Sequence, residues 1–251
     1  MFAVIRKKHL ITLLTVFTAV VIVTVCVTVF TVSAEKKQLP IYSTDSESCV
    51  AISFDASWGS DKTKSIVDIC CSYGVKPTFF LTGIWIDANE EMAKYIHEHD
   101  IEIANHSEHH YSMKGLDRKK LNEEIDITNQ KIEKITGKMP ELFRPPFGDY
   151  DNALIETLKS KHMYCIQWSV DSLDWKGLSA DLILARVLKS VKGGSIVLFH
   201  NNSDHIVEAL PKIIEGILAK GLKLVDVGSL IYKDNYKIDS QGKQIRTNNG
   251  K

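Results

Sequence analysis

The chain alternates between short apolar runs and longer stretches in which apolar residues recur every three or four positions. Residues 50–54 form a compact apolar run. A helical pattern follows over residues 61–73, where Ile66, Ile69 and Tyr73 share one face and Gly74 provides the stop. Residues 76–81 read as a second strand, 89–99 as a helix and 101–104 as a third strand. The clearest helix spans residues 117–136: Leu121, Ile125, Ile132 and Ile135 mark its buried stripe, and Gly137 and Pro140 end it. Further strands fall at 142–143, 164–168, 195–199 and 222–225, separated by helices near 152–161, 181–191 and 206–220. Strands alternating with helices of this length predict an α/β domain whose parallel sheet is joined by crossover helices. Seven strands are too few for a regular eightfold barrel, so an irregular (β/α) barrel is expected.

The first residues follow a different pattern. Residues 10–34 are apolar and uncharged, with Arg6, Lys7 and Lys8 before them and Glu35, Lys36 and Lys37 after. Such a run exceeds the roughly 20 residues needed to cross a bilayer, which predicts one transmembrane helix ahead of the barrel. The basic cluster on its amino side puts residues 1–9 in the cytoplasm and the bulk of the chain outside the cell membrane. Val32-Ser33-Ala34 also suits the cleavage site of a signal peptide, which would make the domain secreted. Both readings export it. Residues 35–48 read as a polar linker, 49–232 as the domain, and 233–251 as a loose polar tail without apolar periodicity.

Charge and cysteine content narrow the picture further. Lysine plus arginine and aspartate plus glutamate each number 31, so nothing resembles the basic surface of a nucleic-acid binder. The five cysteines (Cys26, Cys49, Cys70, Cys71 and Cys165) fit neither a zinc framework nor a disulfide framework and read mostly as buried free thiols. Arginine occurs only at positions 6, 118, 144, 186 and 246. Arg144, between an apolar run and Pro145-Pro146, therefore stands out.

Five of the strand-like runs end in residues capable of chemistry, and parallel α/β folds place their sites at the carboxyl ends of strands. Asp55 ends the first, where burial would raise its pKa towards that of a useful base and a nearby guanidinium would lower it again. His106 and His110 in HSEHH are four apart, a spacing that aims two imidazoles at one metal if the segment turns helically; His109 is expected to be exposed. Arg144 precedes a rigid turn suited to holding a guanidinium or backbone amides at a reacting centre. Asp171 and Asp174 flank Ser172 and Leu173, and His200 closes an apolar strand. An aspartate beside His200 would raise the imidazole's pKa and make a general acid.

In this order, FDASWG, HSEHH, RPPFG, DSLDW and LFH resemble the five motifs of the NodB-homology polysaccharide deacetylases, carbohydrate esterase family 4. LPIYS, the single apolar segment and FDASWG look most like the sporulation-associated PdaB-type members of Gram-positive spore formers. The resemblance implies an exported N-deacetylase of peptidoglycan amino sugars. It implies Asp55 as catalytic base, oriented by Arg144, and His200 as catalytic acid, supported by Asp174. Phe147 would help hold the oxyanion through its backbone, Trp175 and Leu198 would line the acetyl pocket, and His106 and His110 would bind a divalent metal, zinc by expectation. The family's third metal ligand is an Asp directly after the base; this chain has Ala56, which has no donor atom. An impaired, glycan-binding or structural spore-envelope protein on the same fold is the rival reading, and a deacetylase of another N-acetylated polysaccharide is a third.

Overall fold

The computed structural model describes residues 12, 14–21 and 36–247. Most of the expected membrane segment, with Cys26, lies outside the described residues. Among those described, no helix is long and apolar enough to cross a membrane. The chain divides into Met1–Lys37 and Gln38–Lys251, and the second unit carries everything that follows.

Strands β1 (Ser43–Thr44), β2 (Cys49–Ala56), β3 (Thr78–Leu81), β4 (Glu102–Asn105), β5 (Leu142–Phe143), β6 (Tyr164–Cys165), β7 (Val170–Asp171), β8 (Ile196–His200), β9 (Lys223–Val225), β10 (Tyr236–Ile238) and β11 (Lys243–Arg246) form two sheets. The main sheet runs β6-β5-β4-β3-β2-β8-β7, with β9 alongside the start of β2, and all its pairs are parallel. Its two edge strands are joined directly by residues 166–169. Seven flat strands would put those edges about 29 Å apart, and five peptide steps reach only about 17 Å. The sheet must therefore curl into an incomplete barrel. The expected strand over 164–168 accordingly splits between the two edges. Ile41 bridges the gap: its N–H donates to the Cys165 carbonyl (2.8 Å) and its own carbonyl accepts from Gln167 N–H (2.7 Å).

The helices form close to where the apolar periodicity puts them: Thr63–Ser72, Glu90–Glu98, Arg118–Thr136, Asn152–Ser160, Ala180–Ser190 and Ile206–Ala219. The longest is capped by Asp117, whose side chain accepts from Lys120 N–H, and stopped by left-handed Gly137. On β2, Val50, Ile52 and Phe54 pack in one cluster with helix residues such as Ile66, Ile183 and Ile213. Ala51 belongs to the other cluster, with Phe80, Ala104 and Ile196, closed off by Val227 and Leu230. Alternation along a strand puts Ser53 and Asp55 on the same side as Ala51. That face changes from apolar to ionisable towards the carboxyl end of β2.

Two expectations about the flanks need correction. The polar linker is partly structural, because Ile41 is buried and β1 pairs with β11. The tail expected to be loose folds into the β10–β11 hairpin, so that β1, β11 and β10 make a second sheet. Gln244 anchors it, accepting from Tyr232 N–H (2.8 Å) and donating to Tyr232 O (2.9 Å). Cys70 and Cys165 are buried free thiols as expected; Cys49 is half-buried, and Cys71 is exposed.

Candidate active site

All five chemical strand ends meet at one cleft of about 530 Å³, lined by Asp55, His106, His110, Phe147, Asp174, Trp175, Leu198 and His200 among others. The parallel register explains the meeting. Asp55 sits opposite His200 on β8 and Phe80 on β3, and Asn105, just before the HSEHH loop, sits opposite Phe143, just before Arg144.

Asp55 is held by a buried arginine. Arg144 Nη1 donates to Asp55 Oδ1 at 2.6 Å, and Nη2 donates to Ser53 Oγ at 2.9 Å and to the Gln167 carbonyl at 3.3 Å. The guanidinium lies 4.0 Å from the centroid of the Phe80 ring, a cation–π contact out of reach of water. Burial pushes the Asp55 carboxyl up, but the charge facing it, Arg144 above all, outweighs burial and holds its pKa below the usual value. Asp55 is therefore ionised and a weaker base than burial alone would make it.

His106 is fixed in one tautomer. A carbonyl can only accept, so Nδ1–H donates to Arg144 O at 2.7 Å and the bare Nε2 faces Asp55 Oδ2 at 3.4 Å. Burial above all keeps this imidazole's pKa lowered.

The two histidines do not meet through a helical turn. Ser107 and His110 both have positive φ (70° and 59°), and Ser107 Oγ accepts from His110 N–H at 3.1 Å, bringing the rings to 5.0 Å. His110 is enclosed by Trp58 (4.8 Å) and Phe147 (4.6 Å), and burial followed by the proximity of His106 lowers its pKa to about 4.

The loop carrying them is braced from the long helix. Thr128 Oγ1 and Lys131 Nζ donate to the Glu108 carboxylate at 2.9 and 2.5 Å, and Glu124 accepts from both N–H and Nδ1 of His109, which is exposed as expected. Glu108 packs so tightly on Gly83 that a Cβ there would lie 1.6 Å from Oε2.

At the opposing side, His200 Nδ1–H donates to Asp174 Oδ1 at 2.8 Å, leaving Nε2 for the cleft. Burial lowers the imidazole's pKa, but Asp174 overrides it and the net shift is upward. Leu198 is a buried wall, whereas Phe147 (φ 59°) and Trp175 are exposed at the rim. Asp171 is engaged locally, accepting from Leu173 N–H at 2.9 Å.

Every predicted site residue is thus brought to the cleft or directly behind it. Ser53 and Gln167 behind the arginine, Glu108 and Glu124 behind the loop, and Trp58 in the cleft lining were not foreseen. Ser53 was discoverable, since a polar residue two before Asp55 in an apolar strand shares its face.

His110 Nδ1 is buried without a hydrogen-bond partner, and His106 Nε2 lacks a proton, so both rings offer donor atoms to a cation. A third ligand is missing. Position 56 is alanine, and among the described residues no group of three His, Cys, Asp or Glu side chains is placed to hold a metal. The residues do not make the three-ligand site expected for catalytic zinc.

Residues 42–166 match the polysaccharide deacetylase family. A peptidoglycan-N-acetylglucosamine deacetylase of Bacillus cereus is 31% identical over 193 residues, covering 74% of this chain and 90% of its own. The uncharacterized protein YlxY of Bacillus subtilis is 34% identical over 193 residues; the match takes in 76% of this chain and 60% of YlxY. Among solved structures, a pseudoenzyme of carbohydrate esterase family 4 from Bacillus anthracis superposes with a TM-score of 0.74 at 29% identity, over 83% of this chain and 73% of that one. A mutant of that pseudoenzyme with restored enzymatic activity gives 0.74 at 32% identity, over 81% of this chain and 72% of that one. An α/β half-barrel with these five strand ends is the frame of a carbohydrate esterase. The chain belongs to the polysaccharide deacetylase family, carbohydrate esterase family 4, whose deacetylases are hydrolases of amide bonds and depend on a metal.

Proposed function

We propose that the protein hydrolyses the N-acetyl group of an amino sugar in peptidoglycan, releasing acetate and leaving a free amine. The observation that carries this reading is the facing of Asp55 and His200 across adjacent strands, each with its own buried partner. Asp55 takes a proton from the attacking water as the new C–O bond forms at the acetyl carbon. Arg144 keeps one carboxylate oxygen engaged, so Oδ2 is the atom that does this. His106 does not compete, because its proton is on the other nitrogen. His200 Nε2–H then protonates the sugar nitrogen as the C–N bond breaks, and Asp174 stabilises the imidazolium beforehand. Leu198, Phe147 and Trp175 provide an apolar surround for the acetyl methyl group.

The low pKa of Asp55 limits its strength as a base, and Ala56 removes a ligand. Both favour a second reading in which the cleft binds glycan without hydrolysing it; the pseudoenzyme neighbour is consistent with that. Incubating the purified domain with spore-cortex and vegetative peptidoglycan, and assaying acetate, separates the two. Acetate release supports hydrolysis, and mapping the product muropeptides identifies the sugar. Binding without acetate supports the second reading, and acetate from chitin-like oligomers alone would point to another polymer.

The same proposal places the domain outside the cytoplasmic membrane, held by residues 10–34 or secreted after their removal, with spore peptidoglycan as its setting. Arg6, Lys7 and Lys8 ahead of the apolar run support the orientation. Protease added to sealed protoplasts should remove the domain; complete protection would refute the placement.

A further inference from the structure

We infer that Trp58 is a stacking platform for one sugar ring of the glycan, and that the ring it accepts carries no anionic substituent. This rests on the glycan-directed reading above and names the residue and the charge that select the sugar. Trp58 is 58% exposed although Ala56 and Ser57 just before it are buried. Its loop is pinned. The Gly59 carbonyl accepts from Trp85 Nε1 at 2.6 Å and from Asn201 Nδ2 at 2.7 Å, and Asn201 also donates to Thr63 Oγ1 at 3.1 Å. The indole meets the His110 ring nearly at right angles, with centroids 4.8 Å apart.

A large apolar surface held in place yet left in water has already lost its conformational freedom. It can cover the apolar C–H face of a pyranose with little further entropy cost, and that is how aromatic anchors act. Nothing else in the fold needs this indole exposed. The mechanism does not use it, and its contact with His110 engages only part of its surface.

The charge of the lining then selects among rings. Asp55, Asp171, Asp174 and Asp204 line the cleft, and no lysine or arginine does. Three of the four have a cationic partner, Asp55 in Arg144 (2.6 Å), Asp174 in His200 (2.8 Å) and Asp204 in Lys62 (3.8 Å), and Asp171 has no ion-pair partner among the described residues. A carboxylate-bearing ring, as in N-acetylmuramic acid, adds a second negative charge to the uncompensated one of Asp171 in a partly desolvated cleft, whereas N-acetylglucosamine does not.

Calorimetric titration at low ionic strength tests this with chitotetraose and with a peptide-free tetrasaccharide of alternating N-acetylglucosamine and N-acetylmuramic acid. The unaltered protein should bind chitotetraose, and the acidic tetrasaccharide about tenfold more weakly, with the gap narrowing as salt is added. Trp58→Ala should weaken chitotetraose binding about tenfold and Trp58→Phe should restore most of it, while the melting temperature of both variants stays near that of the parent. Equal affinity in parent and Trp58→Ala would overturn the stacking role and leave the glycan reading standing. Equal or tighter binding of the acidic tetrasaccharide would overturn the charge selection. Failure of the parent to bind either would overturn the glycan reading, and this inference with it.

Discussion

Asp174 grips His200 at two points: Oδ1 accepts from ring Nδ1 at 2.8 Å and Oδ2 accepts from the backbone N–H of the same residue at 2.9 Å. The first contact sets the tautomer and the second fixes the strand end that carries the ring. Ser203 Oγ donates to the Asp174 carbonyl at 3.0 Å, so the acid is itself anchored. The result is a raised imidazole pKa despite burial that opposes it.

Because the folded pKa of His200 lies above its ordinary value of 6.5, the pair's contribution to stability is complete below pH 6.5 and is lost as pH rises through the folded value. Asp174→Asn keeps an acceptor but removes the charge. The His200 titration, followed by NMR, should move to lower pH in this variant. The alkaline limb of any acetate-releasing activity should move the same way. An unshifted titration would show that Asp174 does not set the protonation of His200.

Asp55→Asn and His200→Ala should each lower acetate release by about 10²–10⁴-fold. Their effects on folding should differ from that of Asp55→Ala. Both Asp55 substitutions remove the charge partner of a fully buried guanidinium, but asparagine can still accept from Arg144 Nη1, whereas alanine leaves no acceptor there and should cost the more, about 3–5 kcal/mol. Urea unfolding measures the second effect and an acetate assay the first. Near-parental turnover in both Asp55→Asn and His200→Ala would dismiss the base and acid assignments.

The barrel was legible because its strands and helices carry opposite periodicities, and the cleft because parallel strands deliver their carboxyl ends to one place. Legibility failed where pairing is short or depends on backbone geometry. Ile41 and β1 carry too few residues to show alternation, so nothing local marks their pairing with residues 165–167 and β11. The HSEHH spacing correctly joined His106 and His110, but through positive φ at Ser107 and His110 rather than a helical turn. Glu108 and Glu124 are far from each other in the chain, and only the packing of helix Arg118–Thr136 shows that both brace one loop.

Glu102 offers a stability test away from the cleft. Its carboxylate accepts from Thr78 Oγ1 at 2.6 Å and Gly228 N–H at 3.1 Å. Burial above all, followed by the charge of Asp226, raises its pKa to about 7 from an ordinary 4.5. A carboxyl raised in the folded state binds more protons there, so stability falls as pH rises from about 4.5 to about 7. Glu102→Gln removes the titration and retains an acceptor. It should flatten the dependence of melting temperature on pH across that window and stabilise the protein most at pH 8. A slope identical to the parent's would mean that Glu102 is ionised throughout.

Ala56 is the last residue of β2 and fully buried, immediately after the carboxylate that faces His106. Two neutral imidazoles neutralise none of a divalent cation's charge, so the protein as purified should carry substoichiometric zinc that a weak chelator removes. Ala56→Asp adds a second buried carboxylate beside Asp55. Without metal, the like charges should lower the melting temperature. With zinc, the new ligand should convert that penalty into binding. The zinc-induced rise in melting temperature should exceed that of the parent and correspond to about 2.7 kcal/mol in total when zinc stands at 100 times the variant's dissociation constant. Acetate release from peptidoglycan should rise in the same variant, and only with zinc present. Stoichiometric, chelator-resistant zinc in the unaltered protein would show that a ligand beyond His106 and His110 completes the site. A zinc response no larger in Ala56→Asp than in the parent would show that a carboxylate at position 56 cannot reach the metal.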